Sequence, residues 1–245
     1  AEMTQWGWRI PLLVGCAILP FLYMMRRSLQ ETEEFAQRKH RPSPSMILRS
    51  LVANRRIVLP AVLIVALSNV GFYLITAYTP TFGEKTLRLN NTSVQVVLLC
   101  VGFSNFIWLP VMGALSDRIG RRKLLGGAAA LILLTSYPVM LWLAASPSFS
   151  RLLLTELWGS FIYSAYNGAM VVYLVEIMPV DVRTAGFSVA YSVSAAIFGG
   201  FTPAICTYMI EQTGNRAFPG IWLSLAGGVA FLALALLRRH RLHSH

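Results

Sequence analysis

Apolar stretches close to the length of a bilayer crossing divide this chain, at about 8–25, 57–81, 94–115, 124–145, 152–175, 185–209 and 219–237. About 20 mostly apolar residues cross a hydrocarbon core of roughly 30 Å. Lipid offers the backbone no hydrogen-bond partner, so each stretch must be a helix. The chain is 56% hydrophobic and 13% charged, whereas a soluble domain is about 25% charged. The fold class is therefore an all-α integral membrane protein. The first stretch is short, contains Pro11 and Pro20, and has no signal-peptide n-region before it. Cys16, Cys100 and Cys206 all fall inside the stretches, which points to small core residues rather than a disulfide framework or a metal cluster. No cofactor is implied. No nucleophile, acid and base converge, so an enzyme is excluded.

The net charge of +11 is arranged as a topology signal. The 26–56 segment carries Arg26, Arg27, Arg38, Lys39, Arg41, Arg49, Arg55 and Arg56. On the same side fall Arg118, Arg121, Arg122 and Lys123, then Arg183, then the tail residues Arg238, Arg239 and Arg241. The other side receives only Arg9, Lys85, Arg88, Arg151 and Arg216. Short basic loops stay in the cytoplasm, which predicts a multi-pass protein of the plasma (inner) membrane with a cytoplasmic C-terminus. Nucleic-acid binding would need those cations on one exposed face, and they alternate between membrane boundaries instead. The 26–56 segment is the one long connection. Its first part, Ser28 to Arg41, has the pattern of an amphipathic surface helix that Pro42-Ser-Pro44 would end.

Between the third and fourth stretches the chain has room only for a hairpin, and there it reads Gly113-Ala-Leu-Ser-Asp-Arg-Ile-Gly-Arg-Arg-Lys123. This resembles the G-x-L-x-D-R-x-G-R-R loop of the major facilitator superfamily, in which the carboxylate and arginines latch neighbouring helix ends. Further segments resemble the metabolite:proton symporter branch: Trp6-Gly-Trp-Arg-Ile-Pro11, Phe72 to Gly83, Ser104 to Pro110, Tyr166-Asn-Gly-Ala-Met170, Glu176 to Ser188 and Ile197 to Ala204. Together they look most like citrate and tricarballylate proton symporters. The resemblance implies a C-terminal six-helix half over 57–237 and the last helix of the preceding half over 1–25. It also implies a basic linker over 26–56 and a tail over 238–245. Carriers of this kind are built from two six-helix halves with the substrate site between them. The implied partners are the bilayer, the N-terminal half, a small carboxylate and a proton. A monomer is expected.

Polar groups inside spans are costly and tend to face a bundle interior or a wet cavity. Tyr163, Tyr166 and Asn167 share a helical face at i, i+3 and i+4. Asn69 and Tyr73 are i, i+4 in the second stretch, Ser104 and Asn105 are central in the third, and Tyr191 lies in the sixth. These eight are the candidate substrate-binding residues, because phenols, hydroxyls and carboxamides offer neutral donors to carboxylate oxygens. The alternative is that they bond only neighbouring helices. Glu156 is the one acid inside a stretch and the candidate for proton coupling, set against simple solvation or a loose pairing with Arg151. Every histidine lies in the loop or the tail, which excludes a histidine relay in this half. On the basic side Asp117, Arg118, Arg121 and Arg122 face a second charged turn with Glu176, Asp181 and Arg183. Pairing of Asp117 with Arg183, or of Glu176 with Arg121 or Arg122, would close the cytoplasmic face; the alternative is static anchoring to lipid head groups. The last stretch has almost no polar residue and is expected to face lipid.

The favoured function is proton-coupled import of citrate or a related tricarboxylate. Open alternatives are another cargo (2-oxoglutarate, a dicarboxylate, a zwitterionic osmolyte) or a truncated half without transport. The topology has a direct test. A reporter active only in the cytoplasm should work when fused after His245 and stay silent when inserted near Pro147. The opposite pattern overturns the orientation.

Overall fold

The computed structural model describes residue 7 and residues 9–28, 44–179 and 183–242, and every regular element among them is helical. The chain divides into two compact units, Ala1–Pro44 and Ser45–His245. In the first, the stretch expected over 8–25 forms two short helices, α1 (Arg9–Cys16) and α2 (Ile18–Ser28). Its apolar part, Leu12–Met25, is shorter than a full crossing. Of the surface helix expected over 28–41, Ser28 ends α2 and the rest lies outside the described residues.

At the boundary starts α3 (Pro44–Ala53), a helix inside the segment expected to be a linker. Proline suits a helix start, since its missing N–H has no intrahelical bond to make there. The long helices follow: α4 (Arg55–Thr86), α5 (Asn91–Ile119), α6 (Arg121–Ala145), α7 (Phe149–Ile177), α8 (Arg183–Thr213) and α9 (Phe218–Leu242). Among the described residues five helices are long and apolar enough to cross a membrane: α4, α5, α6, α8 and α9 over Phe218–Leu237. α7 has 29 residues, about 44 Å at 1.5 Å per residue, so length does not keep it out. Its serines, tyrosines and asparagine dilute its hydropathy.

That polar helix is central to the bundle. α7 packs against α4, α5, α6 and α8, while α9 closes over α6 and α4. One apolar core joins Ile64 and Leu67 of α4 to Leu125 and Ile132 of α6 and Met170 and Leu174 of α7. A second, around Leu74, Val94, Val97, Leu143 and Leu152, fills the opposite end. Lipid is as apolar as leucine, so helices associate through close approach and interhelical hydrogen bonds. The α5–α7 pair does both. A Cβ placed on Gly168 would lie 3.0 Å from the Gly113 nitrogen and 3.2 Å from the Leu109 carbonyl oxygen, so the backbones meet there.

The last span, expected to face lipid, is exposed on one face only. Leu225, Leu232 and Leu236 are exposed, but Ala230, Ala233, Leu234 and Leu237 are buried. The Trp222 indole donates to the Thr202 hydroxyl at 3.0 Å. A buried indole N–H requires an acceptor, and α9 finds it on α8. A low polar count says nothing about which faces neighbours cover.

Two helices are irregular. α4 winds as π-helix over Tyr73–Tyr78 and Phe82–Thr86, and α8 does so over Ala195–Gly199 before Gly200 and Phe201 form a turn. Such single-turn widenings are rare and recur at functional sites. Gly168→Val, which drives side-chain atoms into the α5 backbone, should destabilise the protein by about 1–3 kcal/mol. Unfolding in detergent at wild-type denaturant or temperature would show that this contact is not close-packed.

Candidate functional site

A line of neutral polar groups runs where α4, α7 and α8 meet. Ser68 Oγ donates to Asn167 Oδ1 at 2.9 Å, and Asn69 Nδ2 donates to Ser194 Oγ at 3.1 Å. Since Asn167 accepts through Oδ1, its amide nitrogen keeps its donor capacity. Tyr163, half-buried, interacts with Ser68 and Tyr191, and its ring lies 6.2 Å from Phe72. Tyr191 is 43% exposed and stacks on Phe187 at 6.0 Å. Tyr73, at the start of the π-helical turn of α4, lies against Gly199 so closely that a Cβ there would sit 2.7 Å from Tyr73 Cε2. Tyr163, Asn167, Asn69, Tyr73 and Tyr191 therefore come to one region.

Three candidate residues have other engagements. Tyr166 is 1% exposed and donates its hydroxyl to the Ile64 carbonyl at 2.9 Å. The face shared with Tyr163 and Asn167 therefore splits, with Tyr166 turned into the core. Ser104 and Asn105 join α5 to α7. Ser160 Oγ lies 2.9 Å from both Ser104 Oγ and Asn105 Oδ1, and Ser164 donates to the same Asn105 oxygen at 3.1 Å. Sequence inspection did not single out Ser68, Ser160 or Ser164. The i, i+4, i+8 row Ser160, Ser164, Gly168 was the available signal for the first contact surface.

At one end of the bundle, a single residue separates α5 from α6. Gly120 adopts φ +96°, a conformation that side chains disfavour. Its N–H donates to the Ser116 carbonyl at 3.0 Å, and its own carbonyl accepts from Lys123. Asp117 and Arg121 are thereby brought together across the turn. Arg121 Nη2 pairs with Asp117 Oδ1 at 2.7 Å, while Nη1 pairs with Glu176 at the end of α7. Arg122 donates to the Leu234 carbonyl of α9 at 3.0 Å. Arg118 is exposed. Arg183 is in no ion pair among the described residues, and its Nε is buried without a hydrogen-bond partner. Asp181 lies outside them. Asp117, Arg121, Arg122, Lys123, Tyr173 and Glu176 are among the residues lining a cleft of about 900 Å³.

Glu156, near the opposite end of α7, is 8% exposed. It is buried from bulk solvent and not paired with Arg151, whose guanidinium donates to the Trp142 carbonyl at 2.8 Å and lies 4.8 Å from the centroid of that indole ring. Five residues is too far round the helix for a neighbouring contact. The partner of Glu156 is Thr79 of α4, whose hydroxyl lies 2.8 Å from Oε1.

Polar side chains of a buried, polar-lined helical interior, rather than an exposed cleft with a catalytic group, are thus what this multi-pass membrane protein offers for function. The chain belongs to the Major Facilitator Superfamily, whose family model matches residues 3–203. It is 51% identical over 241 residues to a protein named citrate-proton symporter of Salmonella typhi, covering 98% of this chain and 56% of that one. A citrate-proton symporter of Klebsiella pneumoniae is 49% identical over 239 residues, with 98% and 54% covered. A putative proline/betaine transporter of Staphylococcus aureus (strain COL) is 30% identical over 242 residues, with 96% and 51% covered. The chain spans about half the length of the curated relatives it matches. No solved structure gives a significant match. Family and relatives are transporters, so the chain is not an enzyme.

Proposed function

We propose that the protein containing this chain is a secondary transporter that carries citrate or a related tricarboxylate into the cell together with protons. In this reading residues 57–237 form the C-terminal six-helix half, 1–25 end the preceding half, 26–56 link the two, and 238–245 are a cytoplasmic tail. It acts as a monomer in the inner membrane. The observation that carries the cargo is identity near 50% with two citrate-proton symporters along 98% of the chain. The site chemistry agrees with it. A carboxylate leaving water needs replacement donors, and the Asn167 amide with the Tyr163, Tyr73 and Tyr191 phenols are neutral donors that can release it again. Asn69, Asn105 and Ser104 hold the helices that present them, and Tyr166 ties α7 to α4 behind them.

The charged turn supplies the gate. Arg121 ties Asp117 at the end of α5 to Glu176 at the end of α7, which closes the cytoplasmic face and favours the outward-open form. Arg118, Arg122 and Arg183 supply the surrounding positive field. Both carboxylates are largely exposed, so each pair contributes about 0–1 kcal/mol. That is enough to bias a rocking equilibrium by about fivefold without freezing it.

Two measurements test these assignments in the full-length transporter. Labelled-citrate counterflow in vesicles should show Asn167→Ala weakening affinity by about 5–150-fold, the worth of one lost donor at about 1–3 kcal/mol. Leu232→Ala, on the exposed face of α9, should leave affinity alone. Equal losses in the two variants place the site wrongly, and absence of citrate counterflow in the wild type removes citrate in favour of a zwitterionic or dicarboxylate cargo.

For the gate, Asp117→Asn and Glu176→Gln should each slow uptake while insertion stays normal. The double variant should be little slower than the worse single one, because both acids act through Arg121. Fully additive losses, or wild-type uptake, overturn the shared latch.

A further inference from the structure

Glu156 has a surrounding that the substrate site does not use. Its Oε2 has no hydrogen-bond partner, and neither has the Thr155 hydroxyl beside it; both are buried. They line one cavity of about 50 Å³, bounded by Tyr78 and Thr79 of α4, Ser136 and Met140 of α6, and Leu223 of α9. A water needs about 10–15 Å³ of such space and two to four polar partners, and the two orphaned oxygens supply them. Among the described residues, Glu156 is the one charged side chain lining this cavity. Arg151 is turned to Trp142, and the cavity-lining residues of α6 and α9 carry no titratable group. Tyr78 is the other titratable side chain on the cavity wall, with Cys206 and Glu211 of α8 as its own neighbours.

Hydrogen counting at Thr79 adds a second feature. Its hydroxyl carries one hydrogen but faces two acceptors, Glu156 Oε1 at 2.8 Å and the Leu74 carbonyl at 3.0 Å. An ionised Glu156 takes that hydrogen. A protonated Glu156 donates to Thr79 Oγ instead, and the hydroxyl then donates to Leu74. Leu74 belongs to the π-helical turn Tyr73–Tyr78, which carries Tyr73 against Gly199.

We propose that Glu156 is a proton-binding site of this chain, reached through the adjoining water-sized cavity, and that Thr79 relays its protonation to the π-helical turn bearing Tyr73. This deepens the transport reading and rests on it for the link to substrate. The proton comes from water and adds at Oε2, which neutralises the carboxylate, and a half-turn of the carboxyl group then presents that O–H to Thr79 Oγ. It returns to water later in the cycle, and only an O–H bond forms and breaks. Proton and substrate are coupled because the turn holding Tyr73 accepts the Thr79 hydroxyl through the Leu74 carbonyl in one state and not in the other.

The test uses the purified full-length transporter in vesicles. Glu156→Gln keeps a neutral donor and acceptor but cannot titrate. Accumulation driven by a proton gradient, measured relative to labelled-citrate counterflow in the same vesicles, should be lost. Gradient-driven accumulation with a wild-type pH profile overturns the proposal. The site has an independent readout in the infrared carbonyl band of a protonated carboxylic acid. That band should titrate in the wild type and be missing from Glu156→Gln, and an identical titration in the two proteins overturns the proposal. Should Glu156→Gln fail to fold, Thr79→Val keeps the carboxyl and removes its partner. The midpoint of the band should then move by about one pH unit, the worth of one hydrogen bond, and an unmoved midpoint overturns the proposal. A wild type that shows the titrating band but no citrate counterflow sinks the transport reading and leaves the proton site standing.

Discussion

A polar group placed in hydrocarbon must find its partner inside the protein, and α7 is where this chain meets that demand most often. Tyr166 reaches the α4 backbone, Asn167 accepts from Ser68, Ser160 and Ser164 hold Asn105, and Glu156 meets Thr79. Each interhelical hydrogen bond in a membrane is worth about 0.6 kcal/mol on average. No single one holds the bundle; their number, with the close approach at Gly168, orients α7 among its neighbours. That orientation then decides which polar groups remain available for a ligand.

The charged end follows from a backbone detail. A one-residue connection between two membrane-length helices needs a residue that tolerates positive φ, and Gly120 supplies it. With the turn so tight, Asp117 and Arg121 become neighbours across it, and the second arm of the guanidinium is free for Glu176. A guanidinium presents several donors in a fixed plane, which lets one residue hold two helix ends. Exposure keeps both pairs weak, as a gate that must open requires.

The π-helical turns connect packing to motion. Tyr73 begins the turn in α4 and rests on Gly199, which ends the turn in α8. Pro203 follows four residues after Gly199, and a proline cannot donate back to that carbonyl. Both helices thus lose regular hydrogen bonding at a shared contact, beside the Asn69–Ser194 bond. The relay proposed at Thr79 acts on one of these turns, so proton and substrate sites can communicate through one irregular segment without a long pathway.

Length, hydropathy and charge placement in the sequence alone determined an all-α membrane protein and the hairpin at Gly120, and the resemblance of the Gly113–Lys123 loop and its companion motifs pointed to the family, because each rests on local chain properties. Glu176 was legible as a partner for Arg121, since both lie at helix ends on the same basic side. Tertiary structure alone decided where side chains turn. Tyr166 and Asn167 are adjacent on one helix and both bond to α4, yet one is in the core and the other half-buried. It also decided that Trp222 bonds Thr202 and that Glu156 is buried away from Arg151. Helical spacing shows which residues share a face, whereas burial depends on the neighbouring helices, and those are set by contacts between residues far apart in the chain.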